Sequence, residues 1–328
     1  MTTRRNLLAA SALGIGLGSS SLSGFAADSS LARIGLLSPV FPISNGRWQS
    51  FLAGMRELGY VDGRNVEFVW RSAEGKYDRL VGLAEELVKG GVKVIVTHTN
   101  AGAIAARQAT TSIPIVSAAF ADPVLIGLAA SLGRPGGSVT GISIVADELA
   151  IKLIEFAQNM GPKLARAAVL GEPEAPGHQR QMQLMEEALR RRSIKAVPIW
   201  ARTTDEIDAG FDTMSRERVQ AAFVLLGSFM VSRKEQIAQL ALRNKIATYT
   251  NSAEFPETGS LLGYGTHLPA LFHRAATYVD KILKGAKPGD LAIEQPTRFE
   301  TVVNMKTAKA LGLVIPLELL LRADRVVE

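Results

Sequence analysis

The sequence predicts an α/β protein with two sets of parallel strands, each flanked by helices. Three observations carry that expectation. Short apolar runs of strand length alternate with helical stripes almost without interruption from Arg33 to Ala118, the pattern of βαβ units whose sheet is covered on both faces. Glycine or proline closes stripe after stripe. The rhythm then breaks over Arg134 to Gly141 and starts again at Leu149, which indicates a second layer set.

Taken in order, Arg33 to Leu37 is a short strand, and Trp48, Phe51, Leu52, Met55 and Leu58 recur at helical spacing until Gly59. Val66 to Trp70 alternates like a strand. Leu80, Leu83, Ala84, Leu87 and Val88 form a second stripe, stopped by Gly90-Gly91. Val92 to Val96 and Ile113 to Ala118 read as buried strands on either side of an alanine-rich helix, Ala101 to Ala109. A small-residue pattern over Leu125 to Leu132 predicts a further helix. Arg134-Pro135-Gly136-Gly137 then turns the chain into a strand, Val139 to Ser143, with a crossing to the second half near Ile142 to Ala146.

The second half predicts helices over Leu149 to Met160 (ended by Gly161-Pro162), Gln179 to Arg192, Ile207 to Met214 and Lys234 to Arg243. Strands are expected over Ala165 to Leu170, Ala196 to Trp200, Ala221 to Leu226 and Ile246 to Tyr249. After Leu261 to Gly265 comes a strong helical stripe, Leu271 to Leu283, stopped by Gly285 and Pro288. Arg298 to Val303 and Thr307 to Leu311 give a last strand and a short helix. Two such halves imply a crevice at the carboxyl ends of their strands.

The first residues read as an export signal. Arg4-Arg5 precede an apolar stretch, Leu7 to Leu17, and Gly24-Phe25-Ala26 place small residues at a cleavage site. The apolar stretch is well short of the roughly 20 residues a membrane span needs. Thr3-Arg4-Arg5-Asn6-Leu7-Leu8 also fits a twin-arginine signal; paired arginines occur in ordinary signals too, so the route stays open. With no cysteine in the chain, lipid attachment after the signal is not expected, and the fold must hold by core burial rather than disulfides. The formal charge is +6, and removing Arg4 and Arg5 with the signal leaves +4. Basic residues are scattered apart from Arg190-Arg191-Arg192, which suits a solvated helix end. Nucleic acid is not an expected partner.

Catalytic patterns are thin. His98, His178, His267 and His273 show no metal-ligand spacing. His98 follows a strand and is read as a loop or partly buried side chain, with a cleft position as the alternative; His267 and His273 are expected to flank or cap a helix. Gly141-Ile142-Ser143 starts a nucleophile elbow, but Val145 stands where its last glycine belongs. No phosphate loop occurs, and Gly14-Ile15-Gly16 lies inside the signal. Glu85-Glu86 and Glu186-Glu187 sit mid-helix and are read as solvated. No catalytic residue, cofactor or metal is expected.

What remains is a set of polar residues at strand ends: Ser38, then Thr97, Thr99 and Asn100, then Asp122, and in the second half Glu172, Ser228 and Asn251. Singly, each is as consistent with a turn or cap as with ligand contact. Together they occupy the strand ends that converge on one crevice, where hydroxyl, amide and carboxylate groups meet helix N-termini.

Four segments carry a family resemblance: "FLAGMRELGYVDGRNVEFVWRSAEG" from Phe51, "DPVLIGLAASLGRPGGSVTGIS" from Asp122, the block "LGYGTHLPALFHRAATYVDKILKGAKPGDLAIEQPTRFETVVNMKTAKALGLVIP" from Leu262, and "LLRADRVVE" at the end. The chain resembles the ABC-transporter substrate-binding proteins of the tryptophan/tyrosine-binding-like type, over nearly all of its length after the signal. The resemblance implies a type I periplasmic-binding fold: two Rossmann-like lobes with parallel sheets, joined by a three-segment hinge and closing on a small molecule. The expected organisation is a signal peptide over 1–26, a first lobe of 31–143 plus 261–288, and a second lobe of 144–260 plus 289–328. The implied role is periplasmic capture of an amino acid or related small organic acid for an ABC importer, as a monomer working with permease and ATPase subunits and without catalysis. A protein of this fold feeding a signalling receptor is the alternative, a secreted hydrolase a remoter one. Carried over by position, the pocket draws on Ser38 and Pro39, Thr97 to Asn100 and Asp122 from the first lobe, and Glu172, Ser228 and Asn251 from the second, with Tyr264 near a crossing. One departure stands out. Relatives often read "LWNPANP" where this chain has Leu170-Gly171-Glu172-Pro173-Glu174-Ala175-Pro176. Glu172 would place a carboxylate at the cleft, suited to an ammonium or a hydroxyl. Trp48, Trp70 and Trp200 are read as packing residues rather than as a stacking box.

Overall fold

Five strands from the first half pair side by side in the order β2-β1-β3-β4-β5, every neighbouring pair parallel. The computed structural model describes residues 31–160 and 163–328; the expected signal over 1–26 and the Gly161-Pro162 stop lie outside them. The strands are β1 (Ala32–Ser38), β2 (Val66–Ser72), β3 (Val94–Thr97), β4 (Ile115–Ala121) and β5 (Val139–Ile144), and the first four are linked through α1 (Gly46–Glu57), α2 (Leu80–Lys89) and α3 (Thr99–Ala109). All four residues of β3 are buried, because helices cover both faces of the sheet. Leu87, Ala103 and Ala106 pack on one side and Trp48, Phe51 and Met55 on the other.

A helix from far along the chain completes this lobe. In α9 (Leu268–Leu283), Phe272, Ala275, Ala276 and Val279 share a core with the α1 residues. Gly54 permits the approach: a Cβ there would lie 2.8 Å from the His273 carbonyl oxygen and 3.0 Å from the Ala276 methyl.

The second sheet has seven strands in the order β12-β11-β10-β9-β8-β6-β7. They are β6 (Arg166–Gly171), β7 (Lys195–Trp200), β8 (Ala221–Val224), β9 (Ala247–Thr250), β10 (Leu262–Thr266), β11 (Phe299–Asn304) and β12 (Arg325–Val327). Among the described residues, β10 and β11 are the one antiparallel pair. Around the sheet lie α4 (Ala146–Asn159), α5 (His178–Arg191), α6 (Thr204–Arg216), α7 (Ser228–Ser232), α8 (Lys234–Arg243), α10 (Met305–Leu311) and α11 (Leu317–Arg322). Helices α4, α5 and α10 bury one face, and α6 with α8 the other.

Both lobes lie in one compact unit, Leu31–Glu328. The chain passes between them three times: from β5 into α4, from β10 into α9, and back between 294 and 299. Glu294 bridges Ile142, and its carbonyl accepts from Ser143 N at 2.8 Å, which sets the third crossing beside the first.

Two expectations need correction. The segment 261–288 does not stay in the first lobe, because β10 pairs with β9 and β11 of the second sheet and only the part from α9 onward returns. Leu125 to Leu132 forms no helix. A single turn follows Asp122-Pro123, and Gly127, with φ of +72°, ends it; Val124 and Leu125 are exposed.

Candidate ligand-binding cleft

The carboxyl ends of the two sets of strands face each other across a cavity of about 140 Å³. At roughly 10–15 Å³ per water-sized group, that is room for a molecule on the scale of an amino acid. The first lobe contributes Phe41 and Arg47 from the segment after β1, Tyr77 ahead of α2, His98 to Ala101 after β3 and Ala119 to Asp122 at the end of β4. The second contributes Asp147 on α4, Ala175 to His178 and Arg180 around the start of α5, Leu226 to Ser228 after β8, and Asn251 after β9.

Backbone geometry at the cleft is constrained. Thr99 and Asp122 both hold left-handed φ values, +63° and +43°, a region that non-glycine residues, β-branched ones above all, seldom occupy. Asn100 helps hold this arrangement. Its side-chain oxygen accepts from Ala121 N at 2.7 Å, and its amide donates across the cleft to the Pro176 carbonyl at 3.2 Å.

One wall is aromatic. His98 stacks on Phe41 with ring centroids 5.6 Å apart and also meets Trp48 and Phe272. Burial, and then the charge of Arg47, lowers the His98 pKa to about 3, so the imidazole is neutral. His178 is likewise lowered to about 4 by burial; its Nδ1 accepts from Glu172 N at 3.1 Å.

The charged groups are paired unequally. Arg47, only 7% exposed, lies 4.3 Å from the Phe41 ring and grips Glu254 of the other lobe through two bonds, 3.2 and 2.7 Å. Arg180 bonds Asp147 of its own lobe and lies 3.5 Å from Asp122 of the first. Two carboxylates therefore share one guanidinium, and the Asp122 pKa is raised, by desolvation first and by Asp147 second.

Several buried polar atoms of lining residues have no hydrogen-bond partner among the described residues: His98 Nε2, Asp147 Oδ1, Ser228 Oγ and Asn251 Oδ1. Buried polar groups are normally satisfied, so their clustering in one cleft marks where a partner belongs.

The structure places half of the expected site residues here. Thr99, Asn100, Asp122, Ser228 and Asn251 line the cavity. Ser38, Pro39, Thr97, Glu172 and Tyr264 do not. Ser38 Oγ is engaged by the Phe41 carbonyl and Trp48 Nε1. Pro39 and Thr97 pack over Gly102. Glu172 is buried, with its carboxylate bonded to the Tyr77 hydroxyl and Met230 N, and Tyr264 packs between Phe156 and Phe299 in the second lobe. Arg47, Tyr77, Asp147 and Arg180 escaped sequence reasoning because they stand in first helical turns or a 3₁₀ turn, where a polar residue is ordinary. His98, expected in a loop or only partly buried, is 3% exposed and faces the cavity.

Comparison with known proteins agrees with this architecture. The chain is 25% identical, over 266 residues, to a tyrosine-binding protein of Clostridioides difficile (strain R20291); the match spans 81% of this chain and 76% of that protein. A conserved domain protein of Vibrio cholerae O1 biovar eltor superposes with a TM-score of 0.85 at 26% identity, covering 90% of this chain and all of the other. An ABC domain in complex with L-Trp from Streptococcus pneumonia superposes with a TM-score of 0.84 at 24% identity, covering 91% of this chain and all of that one. The fold is that of the type I periplasmic binding proteins. Residues 44–327 match the family model described as ABC transporter substrate binding protein, and the chain belongs to that family.

Proposed function

We propose that this chain is the periplasmic substrate-binding component of an ABC importer, and that it closes its two lobes on a small molecule carrying an ammonium group and an aromatic or apolar body. Amino acids are the class that fits first. The observation that carries the proposal is the carboxylate pair Asp122 and Asp147, one from each lobe, sharing the single guanidinium of Arg180. Arg47 is occupied by Glu254, so negative charge is in excess, and a ligand ammonium would supply the missing cation. The unpartnered Asp147 Oδ1 and Asn251 Oδ1 would accept its protons. The Ser228 hydroxyl and the amides at the starts of α3 and α5 suit a ligand carboxylate. Phe41, His98 and Phe272 suit a flat apolar body. Support also comes from the relatives, one described as tyrosine-binding and one in complex with L-Trp.

Support for binding comes from the family itself, whose matched model describes a substrate-binding protein. Ligand contacts from both lobes would favour the closed state, and that shape is what a permease reads. The test is a thermal-shift screen of the exported form with amino acids, aromatic amines and aromatic acids. A ligand at a hundred times its Kd adds about 2.7 kcal/mol, several degrees of melting temperature for a chain of this size. We expect micromolar or tighter binding among the aromatic amino acids; if tryptophan, tyrosine and phenylalanine all leave the melting point unmoved, that assignment fails.

A further inference from the structure

Glu172 is a carboxylate in an unusual position. It is 1% exposed, and no basic side chain among the described residues forms a salt bridge with it. Its oxygens are satisfied otherwise. Met230 N donates to Oε1 at 2.8 Å, and the Tyr77 hydroxyl donates to Oε2 at 2.7 Å. Tyr77 belongs to the first lobe, Glu172 and Met230 to the second. The same hydroxyl accepts from Ser228 N at 2.8 Å. One oxygen of the first lobe therefore holds two groups of the second. Room for the carboxylate comes from Gly227, where a Cβ would lie 2.4 Å from Glu172 Oε1.

Buried anions need hydrogen-bond donors or cations, and a hydroxyl donating to a carboxylate is among the stronger neutral–charged contacts. When the lobes part, Tyr77 leaves and Glu172 must find water instead. The ion pair Arg47–Glu254, which also crosses the cleft with two bonds, has a glutamate whose side chain is 39% exposed. Water screens such a pair more than it does a wholly buried contact. Both Tyr77 contacts are made between protein groups.

We propose that Tyr77 and Glu172 form a ligand-independent latch that draws the lobes together ahead of capture and holds Ser228 in place to receive the ligand. Both are positioning residues: they act on the open–closed equilibrium, and Tyr77 acts on the ligand through Ser228. The proposal rests on the lobe-closure reading above but not on any ligand identity. Burial raises the pKa of the Glu172 carboxyl, consistent with a group that depends on its donors.

The test needs no ligand. Because the chain has no cysteine, Glu85→Cys on α2 and Glu235→Cys on α8, both exposed, accept spin labels cleanly. Electron–electron distance distributions are then measured on the labelled full chain without ligand. The labelled parent is expected to show a populated short distance. Tyr77→Phe, which removes one oxygen, should lower the closed-to-open ratio about tenfold or more, while the melting temperature reports whether the fold is kept. Glu172→Gln retains an acceptor and gives a smaller shift in the same direction; it serves as the second variant should Tyr77→Phe fold poorly. A parent that shows only the long distance overturns the latch, as do variant distributions that superimpose on the parent's. Either result leaves the ligand-binding proposal standing, and a failed ligand screen leaves this test intact.

Discussion

Asp147 enters the cleft at the start of α4, bonded to Arg180 through one oxygen while the other, Oδ1, is buried without a partner. Asp147→Asn keeps the shape and removes the charge, so it should weaken an ammonium-bearing ligand by about tenfold or more, in line with roughly 1.5–3 kcal/mol for a charged hydrogen bond. Titration calorimetry with the hit from the screen checks this, and an unchanged Kd would place the ammonium elsewhere. The histidines supply a second expectation. His98 and His178 are neutral in the folded chain, with pKa values lowered from 6.5 to about 3 and about 4, chiefly by burial. The unfolded chain takes up those protons once the pH falls below about 6.5. The stability they contribute is therefore present above pH 6.5 and lost progressively as the pH falls toward the folded values, on the order of 1–2 kcal/mol per histidine by pH 5. Glu172 and Asp122, raised by burial, act in the opposite sense: their contribution is present in acid and lost as the pH rises through their folded pKa values. Melting temperature should fall on acidification below pH 6.5, and His98→Gln or His178→Gln should flatten the slope; a slope that neither variant changes contradicts the assignment. At this scale the sequence revealed what strand ends reveal. Thr99, Asn100, Asp122, Ser228 and Asn251 were legible because parallel strands deliver their carboxyl ends to one crevice. Glu172 was legible as an anomaly but not as to its direction, since which way a carboxylate turns depends on Gly227 and Tyr77, distant in sequence.

Among the elements, the strands and long helices follow the apolar periodicity closely, because burial on one or both faces dictates it. The failures have local causes. The small-residue pattern over 125–132 resembles a helix, yet a left-handed Gly127 lets it end after one turn. Strand β10 carries a stretch contiguous with α9, and nothing in its sequence says that its partners are β9 and β11 rather than strands of the first lobe. Two glycines test the packing of helices directly. Gly54→Ala adds a methyl that would lie 2.8 Å from the His273 carbonyl oxygen, so despite better helix propensity it should destabilise by about 1 kcal/mol or more. Gly82→Ala in α2 meets nothing within 4 Å and should be neutral to stabilising by up to about 1 kcal/mol. Thermal melts of the two variants moving in the same direction would contradict the close α1–α9 contact.

The molecule joins two sheets by three crossings, and the space between them is lined by His98, Asp147, Ser228 and Asn251, each with a buried polar atom unpaired among the described residues, and by the carboxylates Asp122 and Asp147. Contacts that span the cleft come from every side: Arg47 to Glu254, Tyr77 to Glu172 and Ser228, Asn100 to Pro176, and Asp122 to Arg180. On the proposed function, a ligand that adds bonds to both lobes favours closure by no more than its difference in affinity for the two states. On the proposed function, this space selects an ammonium beside an aromatic body. Its most direct measurement is calorimetric titration of the protein with L-tryptophan and, in parallel, with indole-3-propionate, which keeps the ring and the carboxylate but lacks the ammonium. Saturable binding of tryptophan at micromolar or tighter Kd, with indole-3-propionate at least tenfold weaker, is the predicted result; indole-3-propionate binding as tightly as tryptophan, or neither compound binding, would contradict it.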